Sequence, residues 1–252
     1  MNRGWFVRPM GALLAVLSWW VVASGDDKNP ATTPVPKTDK GWVTRHESFV
    51  AKAKAGGVDL LFLGDSITHG WEGGGKDVWK SRFAPLKAAN FGIGGDRTQH
   101  VLWRITEGKE LEGIDPKVAV LMIGTNNIGS DSADQIAAGV AAIVAELQKQ
   151  KPHIKVLVLG VFPRSGKQAK DLKDPKVVAP GEFQPKVKAI NEKLAKLDDG
   201  KAVKYLDIGD KFLTPEGVLT KEIMPDFLHL TPKGYEIWAD AIREPVEKLL
   251  KE

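Results

Sequence analysis

The sequence of 252 residues contains no cysteine. Disulfide bonds and a lipid anchor attached to cysteine are therefore excluded, and the fold has to be stabilised by its apolar core alone. A chain of this length buries enough apolar surface for one domain of ordinary size. We accordingly expect a single folded domain.

Charge of one sign is also scarce. Lys and Arg number 36, Asp and Glu number 32, and the two signs are interleaved along the chain, so that the formal net charge is +4. No basic stripe of the kind that binds nucleic acid is present. We expect no nucleic-acid partner.

Sequence motifs for nucleotides and metals are missing as well. The segment "GIGGDR" (92–97) is similar to a dinucleotide-binding motif, but Arg97 occupies the position of the last glycine and the segment follows the second predicted strand. A phosphate-binding P-loop is absent, and Asp65, Asp96 and His229 lack the spacing of metal ligands. We expect neither a cofactor nor a metal.

The first 25 residues have the composition of a secretory signal peptide. Arg3 and Arg8 precede an uncharged, mostly apolar stretch that ends in small residues, and this stretch is short for a membrane-spanning helix of about 20 residues. We predict a signal peptide at 1–25 and a periplasmic or secreted protein, or a membrane-anchored one if the segment is not cleaved. Residues 26–40 are rich in Pro, Thr and Asp and are predicted to form a linker; residues 41–252 are predicted to form the domain.

Short apolar runs alternate with amphipathic stretches throughout the predicted domain. The runs have the continuous aliphatic character of buried parallel strands, and they lie at 58–64, 87–93, 117–124, 154–160 and 201–209. Helical patterns lie at 42–57, 96–108, 132–150, 184–197 and 231–250. This alternation predicts an α/β fold with a five-stranded parallel sheet and helices on both faces.

In such a sheet, ligands bind at the carboxyl ends of the strands, and small or hydrogen-bonding residues follow three of the predicted strands. Ser66 follows the first strand, the Gly94–Gly95 turn follows the second, and Asn126 follows the third. Taken singly, each of these is typical of an ordinary turn or of a capping residue.

A serine hydroxyl is a weak nucleophile unless a base removes its proton. Of the five histidines, His229 has a carboxylate, that of Asp226, three residues before it, a spacing that allows the carboxylate to orient the ring. Such pairs also occur as plain turn structure, so the pair alone is a weak signal. The backbone N–H of Ser66, the Gly94–Gly95 turn and the Asn126 amide are candidate donors to an oxyanion.

Taken in chain order, these segments resemble the SGNH (GDSL) hydrolases. The stretches "NFGIGGDRTQHVLWRITEGKEL", "IGTNNIG" and "DFLHLTPKGY" are similar to the catalytic-subunit branch of the platelet-activating-factor acetylhydrolase Ib type, and the similarity runs from about residue 41 to the end. The resemblance implies a three-layer flavodoxin-like sandwich, no metal, and hydrolysis of short acyl esters, acetyl above all. It also implies the roles of individual residues: Ser66 as nucleophile, His229 as base oriented by Asp226, and Ser66, Gly95 and Asn126 as the oxyanion hole.

The sequence departs from that branch in two respects. The related subunits are intracellular, whereas an export signal is predicted for this chain, and the segments at 69–79 and 165–183 are expected to be longer than in that branch. The natural substrate we expect is a small ester, first of all an acetylated carbohydrate. The alternative substrates are an acetyl phospholipid or a lysophospholipid. The alternative function is that of a non-catalytic exported carbohydrate-binding domain.

Further residues near the predicted site are candidates for the substrate pocket, namely Asp65, His69, Trp71, Asn127 and Phe162. Trp71 and Trp79 would be able to stack on a sugar ring, although packing in the core or at the rim is an equally good interpretation. The related subunits pair as dimers, so a homodimer is one prediction for this chain.

Overall fold

The structure is a computed structural model that describes residue 1 and residues 29–165, 177–178 and 183–252. The predicted signal peptide at 1–25 and most of the loop at 165–183 lie outside the described residues. Within them, no helix has the length and apolar character needed to cross a bilayer.

The centre of the fold is a five-stranded parallel sheet, and each predicted strand is found in it. Its strands are β1 (Leu60–Gly64), β2 (Ala88–Gly92), β3 (Val118–Met122), β4 (Lys155–Leu159) and β6 (Val203–Leu206), whereas β5 (Val177–Val178) and β7 (Leu219–Thr220) form a separate antiparallel pair. The strand order in the sheet is β2-β1-β3-β4-β6, which is the flavodoxin-like order and confirms the predicted fold class.

Seven α-helices surround the sheet in the described residues, and the five longest match the predicted helical patterns. The helices are α1 (Lys40–Ala55), α2 (Ser66–His69), α3 (Lys76–Arg82), α4 (Thr98–Ile105), α5 (Ala133–Gln150), α6 (Gln184–Leu194) and α7 (Pro232–Leu249). Capping chemistry explains where α5 begins. The Ser132 hydroxyl accepts the Gln135 N–H at 3.1 Å, and the Gln135 side chain accepts the Ser132 N–H at 2.8 Å, so that two free donors at the helix start are satisfied reciprocally.

Successive residues of each strand point to opposite faces of the sheet, and both faces are covered. Leu61 and Leu63 belong to the core that the sheet shares with α1, α4, α5 and α6. Leu60 and Phe62 belong to a second, more aromatic core beneath α3 and α7. This arrangement explains why the strands are apolar throughout instead of alternating.

Three short features do not appear in the sequence-based prediction. They are the helices α2 and α3 and the antiparallel pair of β5 with β7. Strands of two residues and helices of four and seven residues are too short to show a strand or helix period in the sequence.

The predicted linker at 26–40 is corrected for its described part. Residues 29–39 lie against the domain: Ala31 is fully buried, its carbonyl accepts a hydrogen bond from the Thr98 hydroxyl at 2.9 Å, and the Val35 N–H donates to the Gln99 carbonyl at 3.3 Å. The other contacts of this segment are made by the polar side chains of Asn29, Lys37 and Asp39. They leave no apolar period in the sequence, so composition alone indicated a linker.

Candidate active site

Ser66 is the first residue of α2 and lies directly beyond the carboxyl end of β1. The side chain of Asp65 caps this helix by accepting from the Ile67 N–H at 2.9 Å. The Tyr235 hydroxyl of α7 donates to the Ile67 carbonyl at 2.7 Å. Gly92 is needed on the neighbouring strand because a Cβ there would overlap the backbone of His69. The start of α2 is therefore fixed from three sides.

Ser66, His229 and Asp226 form a continuous chain of hydrogen bonds. The Ser66 Oγ lies 2.9 Å from His229 Nε2, and His229 Nδ1 lies 2.6 Å from Asp226 Oδ2. The second carboxylate oxygen, Asp226 Oδ1, accepts the backbone N–H groups of His229 and Leu228 at 2.7 and 3.1 Å. The loop that carries the imidazole therefore also fixes the carboxylate that orients it.

The charges in this chain of hydrogen bonds support a neutral serine, a basic imidazole and an ionised carboxylate. Burial opposes ionisation of Asp226, but hydrogen bonds from the His229 ring and backbone outweigh it and lower the pKa of Asp226 to about 2. The hydrogen bond to Asp226 raises the pKa of His229 above its ordinary value. With its ring held in this way, His229 has Nε2 directed at the hydroxyl proton of Ser66.

A tight turn after β2 lies beside Ser66. The Asp96 N–H donates to the Ile93 carbonyl at 3.2 Å, and Gly95, the third residue of the turn, has a φ of +73°, a conformation that L side chains rarely adopt. A Cβ added to Gly94 would lie 4.0 Å from the Cβ of Ser66. Neither the Gly95 nor the Ser66 backbone N–H donates a hydrogen bond to any of the described residues.

Asn126 lies after β3, in the short 3₁₀ turn Thr125–Asn127. One N–H of its side-chain amide donates to the Asp96 carbonyl at 2.8 Å. The amide group has two N–H donors, so the second remains for a ligand. The structure therefore brings Asn126 to the same turn as Gly95.

A buried charged residue that no sequence pattern indicates lies beside this turn, on its interior side. Arg104 is fully buried; its Nε lies 2.9 Å from Asp96 Oδ2, and its Nη1 donates to Glu110 at 2.6 Å and to the Phe91 carbonyl at 3.0 Å. The Nη2 donates to the Gly64 carbonyl at 3.4 Å. One guanidinium thus joins the ends of β1 and β2, the two strands that carry Ser66 and the Gly94–Gly95 turn.

Arg164 is a second residue that the sequence analysis missed. It follows β4 at the same edge of the sheet and donates from Nη1 to the carbonyl and the hydroxyl of Thr125, each at 3.2 Å. Burial lowers its pKa, while Asp65 and Asp226 act in the opposite direction. The sequence signal for Arg164 is its position after the fourth strand, because ligands bind at the carboxyl ends of the strands in such a sheet.

Four of the five candidate pocket residues do not reach the surface of the site, which corrects their assignment. Asp65 and Asn127 are fully buried, Trp71 is 1% exposed and Phe162 is 2% exposed. His69 alone is half-buried and close to Gly94. Nearness in sequence to the site does not fix the direction of a side chain, and in the turns beyond the strand ends these four point into the interior.

Besides Asp65, which caps α2, the other three buried residues have structural roles as well. Trp71 packs against Tyr235 and Trp238 with ring centroids 4.6 and 4.9 Å apart. Phe162 packs against Trp238 as well, at 5.2 Å. Asn127 accepts the Thr98 N–H at 3.0 Å and so caps the start of α4. Trp79 is only partly buried, but it too packs in this aromatic core instead of at the site.

Asp65 lies beneath Ser66, and its environment is unusual. Burial raises its pKa to about 7, although the hydrogen bond from Ile67 acts in the opposite direction. Its Oδ2 has no hydrogen-bond partner among the described residues. Within the same part of the chain, no three His, Asp or Glu side chains cluster as metal ligands would.

Comparison with known proteins identifies the family of the chain. The model of the GDSL-like Lipase/Acylhydrolase family matches residues 62–237. The chain is 37% identical over 234 residues to platelet-activating factor acetylhydrolase IB subunit alpha2 of Rattus norvegicus, covering 91% of this chain and 95% of that protein. It is 37% identical over 235 residues to subunit alpha1 of the same species, covering 90% and 93%.

Among solved structures, a GDSL-like lipase from Bacteroides thetaiotaomicron aligns with a TM-score of 0.61 and 23% identity, covering 83% of this chain and 97% of that one. At this identity the likeness supports the fold. The family model and the two relatives carry the assignment further. The chain therefore belongs to the GDSL-like lipase/acylhydrolase family and is a carboxylic ester hydrolase.

Proposed function

We propose that the protein hydrolyses short-chain acyl esters, chiefly acetyl esters, with Ser66 as nucleophile, His229 as base and Asp226 as the group that orients the base. The observation that carries the proposal is the hydrogen-bonded chain from Ser66 Oγ through the imidazole to Asp226, with links of 2.9 and 2.6 Å. This is the arrangement that activates a serine hydroxyl.

The reaction runs in two halves. In the first, Ser66 Oγ attacks the ester carbonyl carbon while its proton passes to His229 Nε2; the C–O bond to the alcohol then breaks, and the alcohol leaves with that proton. In the second, Nε2 takes a proton from water, the hydroxide adds to the acyl-enzyme, and Ser66 departs with the proton. Asp226 stays ionised throughout because its pKa of about 2 lies far below neutral pH.

Each half passes through a tetrahedral oxyanion. The free N–H groups of Ser66 and Gly95 and the second N–H of the Asn126 amide are the donors that we assign to it. All three lie at the carboxyl ends of β1, β2 and β3. Fixed donors of this kind stabilise the transition state more than the ground state, because they are oriented before the charge develops.

The preference for acetyl is supported by the relatives, whose names describe acetylhydrolases. The alcohol portion has two candidates. An acetylated carbohydrate follows from the export that residues 1–25 predict, since acetyl esters outside the cell are common on polysaccharides. A phospholipid related to platelet-activating factor is the second candidate, and the names of the relatives favour it.

The first experiment compares the full chain with Ser66→Ala on p-nitrophenyl acetate. We expect kcat to fall by at least about 10⁴, as it does when a triad residue is removed. Ser48→Ala is the matched control, because Ser48 is exposed on α1, and should keep full activity. A fluorophosphonate should label Ser66 in the wild type and in the control. Undiminished turnover in folded Ser66→Ala would remove Ser66 from the reaction.

The second experiment separates the substrates. A series of p-nitrophenyl esters from acetyl to octanoyl, acetylated xylo-oligosaccharides and platelet-activating factor would be compared by kcat/KM. We expect the acetyl ester to exceed the octanoyl ester. A higher kcat/KM for the oligosaccharides than for the phospholipid supports the first candidate, and the reverse supports the second.

Export is tested independently of activity. Full-length protein would be expressed in a Gram-negative host, fractionated, and its N-terminus determined by mass spectrometry. A periplasmic species that begins near residue 26 is the expected result, and an uncleaved cytoplasmic species would contradict it.

A further inference from the structure

Residues 29–39, which we call the N-terminal strap, lie against the domain and reach the turn Ile93–Asp96, which we call the oxyanion turn. The strap is fixed at its start, where the Asn29 amide donates to the Gln135 carbonyl at 3.2 Å. Ala31 is then fully buried against α4 and α5, with its carbonyl bonded to Thr98. At its end Asp39 caps α1 by accepting from the Trp42 N–H at 2.9 Å. Between these anchors the strap carries Lys37.

The Lys37 ammonium contacts the oxyanion turn directly. Its Nζ donates to the Gly94 carbonyl at 3.3 Å, and it lies 3.0 Å from the position that a Cβ on Gly95 would occupy. It is also 3.9 Å from Asp96 Oδ1. That carboxylate forms an ion pair with Arg104 and accepts a hydrogen bond from the Trp42 indole. The contact of Lys37 with the turn, at 3.3 Å, is closer than its contact with Asp96.

The Gly94 carbonyl and the Gly95 N–H belong to one peptide group. A peptide group is planar and trans, so its C=O and N–H point in opposite directions. A donor that holds the Gly94 oxygen therefore directs the Gly95 N–H away from Lys37, and Ser66 lies beside the same turn. A cation on the carbonyl also polarises the amide and strengthens the N–H as a donor.

The turn alone does not fix the orientation of this central peptide group. The turn Ile93–Asp96 has a positive φ at its third residue, as a type II turn requires. The type I alternative differs mainly by a reversal of the central peptide, and two adjacent glycines offer little steric resistance to it. In the reversed form the Gly95 N–H would point away from Ser66.

We propose that Lys37 is a positioning residue for the ester hydrolysis: its hydrogen bond to the Gly94 carbonyl holds the central peptide of the turn in the orientation that presents the Gly95 N–H to the oxyanion. The strap supplies the anchoring that keeps Lys37 there, since the side chain is only 26% exposed and its backbone is tied at both ends. This inference rests on the proposed function.

The test compares Lys37→Met, Lys37→Arg and the wild type on p-nitrophenyl acetate. Removing one oxyanion donor costs on the order of 10²–10³ in kcat, and because Lys37 acts through the turn we expect a smaller loss of about tenfold. KM should change by less than about twofold, since the donor acts on the transition state. Lys37→Arg keeps a cationic donor and should recover most of kcat.

Two measurements separate positioning from general damage to the fold. The rate of inactivation by a fluorophosphonate, whose phosphoryl oxygen enters the oxyanion hole, should fall in parallel with kcat in Lys37→Met and recover in Lys37→Arg. Lys40→Met is the matched control, because Lys40 lies just beyond the strap at the start of α1 and its side chain is exposed; its kcat and inactivation rate should equal those of the wild type.

The outcomes are distinct. An active wild type with unchanged kcat and inactivation rate in folded Lys37→Met overturns this inference and leaves the proposed function standing. A loss that Lys37→Arg does not recover, or that appears equally in Lys40→Met, also overturns it. A folded wild type without esterase activity overturns the proposed function and this inference together.

Discussion

Replacement of Asp226 by asparagine tests the role of the carboxylate more sharply than its deletion. The two carboxylate oxygens have different partners: Oδ1 accepts the backbone N–H groups of Leu228 and His229, and Oδ2 faces His229 Nδ1 at 2.6 Å. An asparagine should keep its oxygen at the Oδ1 position, because only an oxygen can accept those two bonds. Its NH₂ group then faces Nδ1.

An NH₂ donor at this position requires Nδ1 to be the acceptor, so the proton of the neutral ring moves to Nε2. In that tautomer Nε2 donates to Ser66 Oγ and is unable to take its proton. The corresponding substitution in serine proteases lowers kcat by about 10⁴. The Asp226 and His229 side chains here are 46% and 43% exposed, and water weakens the bias, so we expect a loss of about 10³ in kcat/KM.

Asp226→Ala is the matched comparison. It removes the orienting carboxylate without imposing the wrong tautomer, and we expect it to retain about ten times the kcat/KM of Asp226→Asn. His229→Ala should be the most severe of the three. The ordering, alanine above asparagine at 226, distinguishes control of the tautomer from a simple loss of negative charge, which would affect both variants equally.

The assay is kcat/KM for p-nitrophenyl acetate from mildly acidic to mildly alkaline pH at constant ionic strength, corrected for spontaneous hydrolysis. Activity requires neutral His229, and its pKa is raised by Asp226 above the ordinary 6.5, so the wild type should lose activity as the pH falls through a value above 6.5. In Asp226→Ala this acid limb should move to lower pH while the plateau drops. Asp226→Asn equal to the wild type, or more active than Asp226→Ala, would refute the reasoning.

Four further predictions concern single residues. Asn126→Ala removes a side-chain donor to the oxyanion and should lower kcat by about 10²–10³ with KM nearly unchanged; an unchanged kcat would contradict its role. Gly95→Ala places a Cβ 3.0 Å from the Lys37 ammonium at a φ of +73°, which costs about 1–2 kcal/mol, and both urea unfolding and kcat should register the loss. Trp71→Ala should destabilise the fold by about 3–5 kcal/mol with KM unchanged, whereas a raised KM would restore Trp71 to the pocket. The pKa of Asp65 is about 7 in the folded protein against an ordinary 3.8, so the free energy of unfolding falls as the pH rises from about 4 to 7. Asp65→Asn should gain stability relative to the wild type across that window, by on the order of 4 kcal/mol. A stability difference that does not depend on pH would contradict this.

Much of the fold could be predicted because its signals are local. The five strands are continuous apolar runs, and such runs can be recognised in the sequence without knowledge of the tertiary structure. A parallel sheet then places Ser66, Gly95 and Asn126 at the same edge, since parallel strands all have their carboxyl ends on one side. Their proximity follows from the parallel sheet alone, without knowledge of any side-chain contact.

The residues that escaped prediction are those whose role depends on direction or on distant partners. Phe162 is as close to its strand end in sequence as Asn126 is, and Trp71 follows Ser66 in the same segment, but both side chains pack in the aromatic core. Arg104 is an ordinary charged residue of a helix until the fold surrounds it with Asp96 and Glu110. Burial and orientation of this kind depend on the whole tertiary structure, and a local pattern does not record them.

The hydrogen bond between Ser66 and His229 spans 163 positions of the chain. During synthesis the nucleophile therefore leaves the ribosome long before its base, and α7, whose Tyr235 holds the start of α2, follows later still. A nascent or truncated chain thus exposes a harmless hydroxyl. Reactivity toward esters requires both ends of this hydrogen bond and therefore arises only after His229 has been synthesised and brought to Ser66.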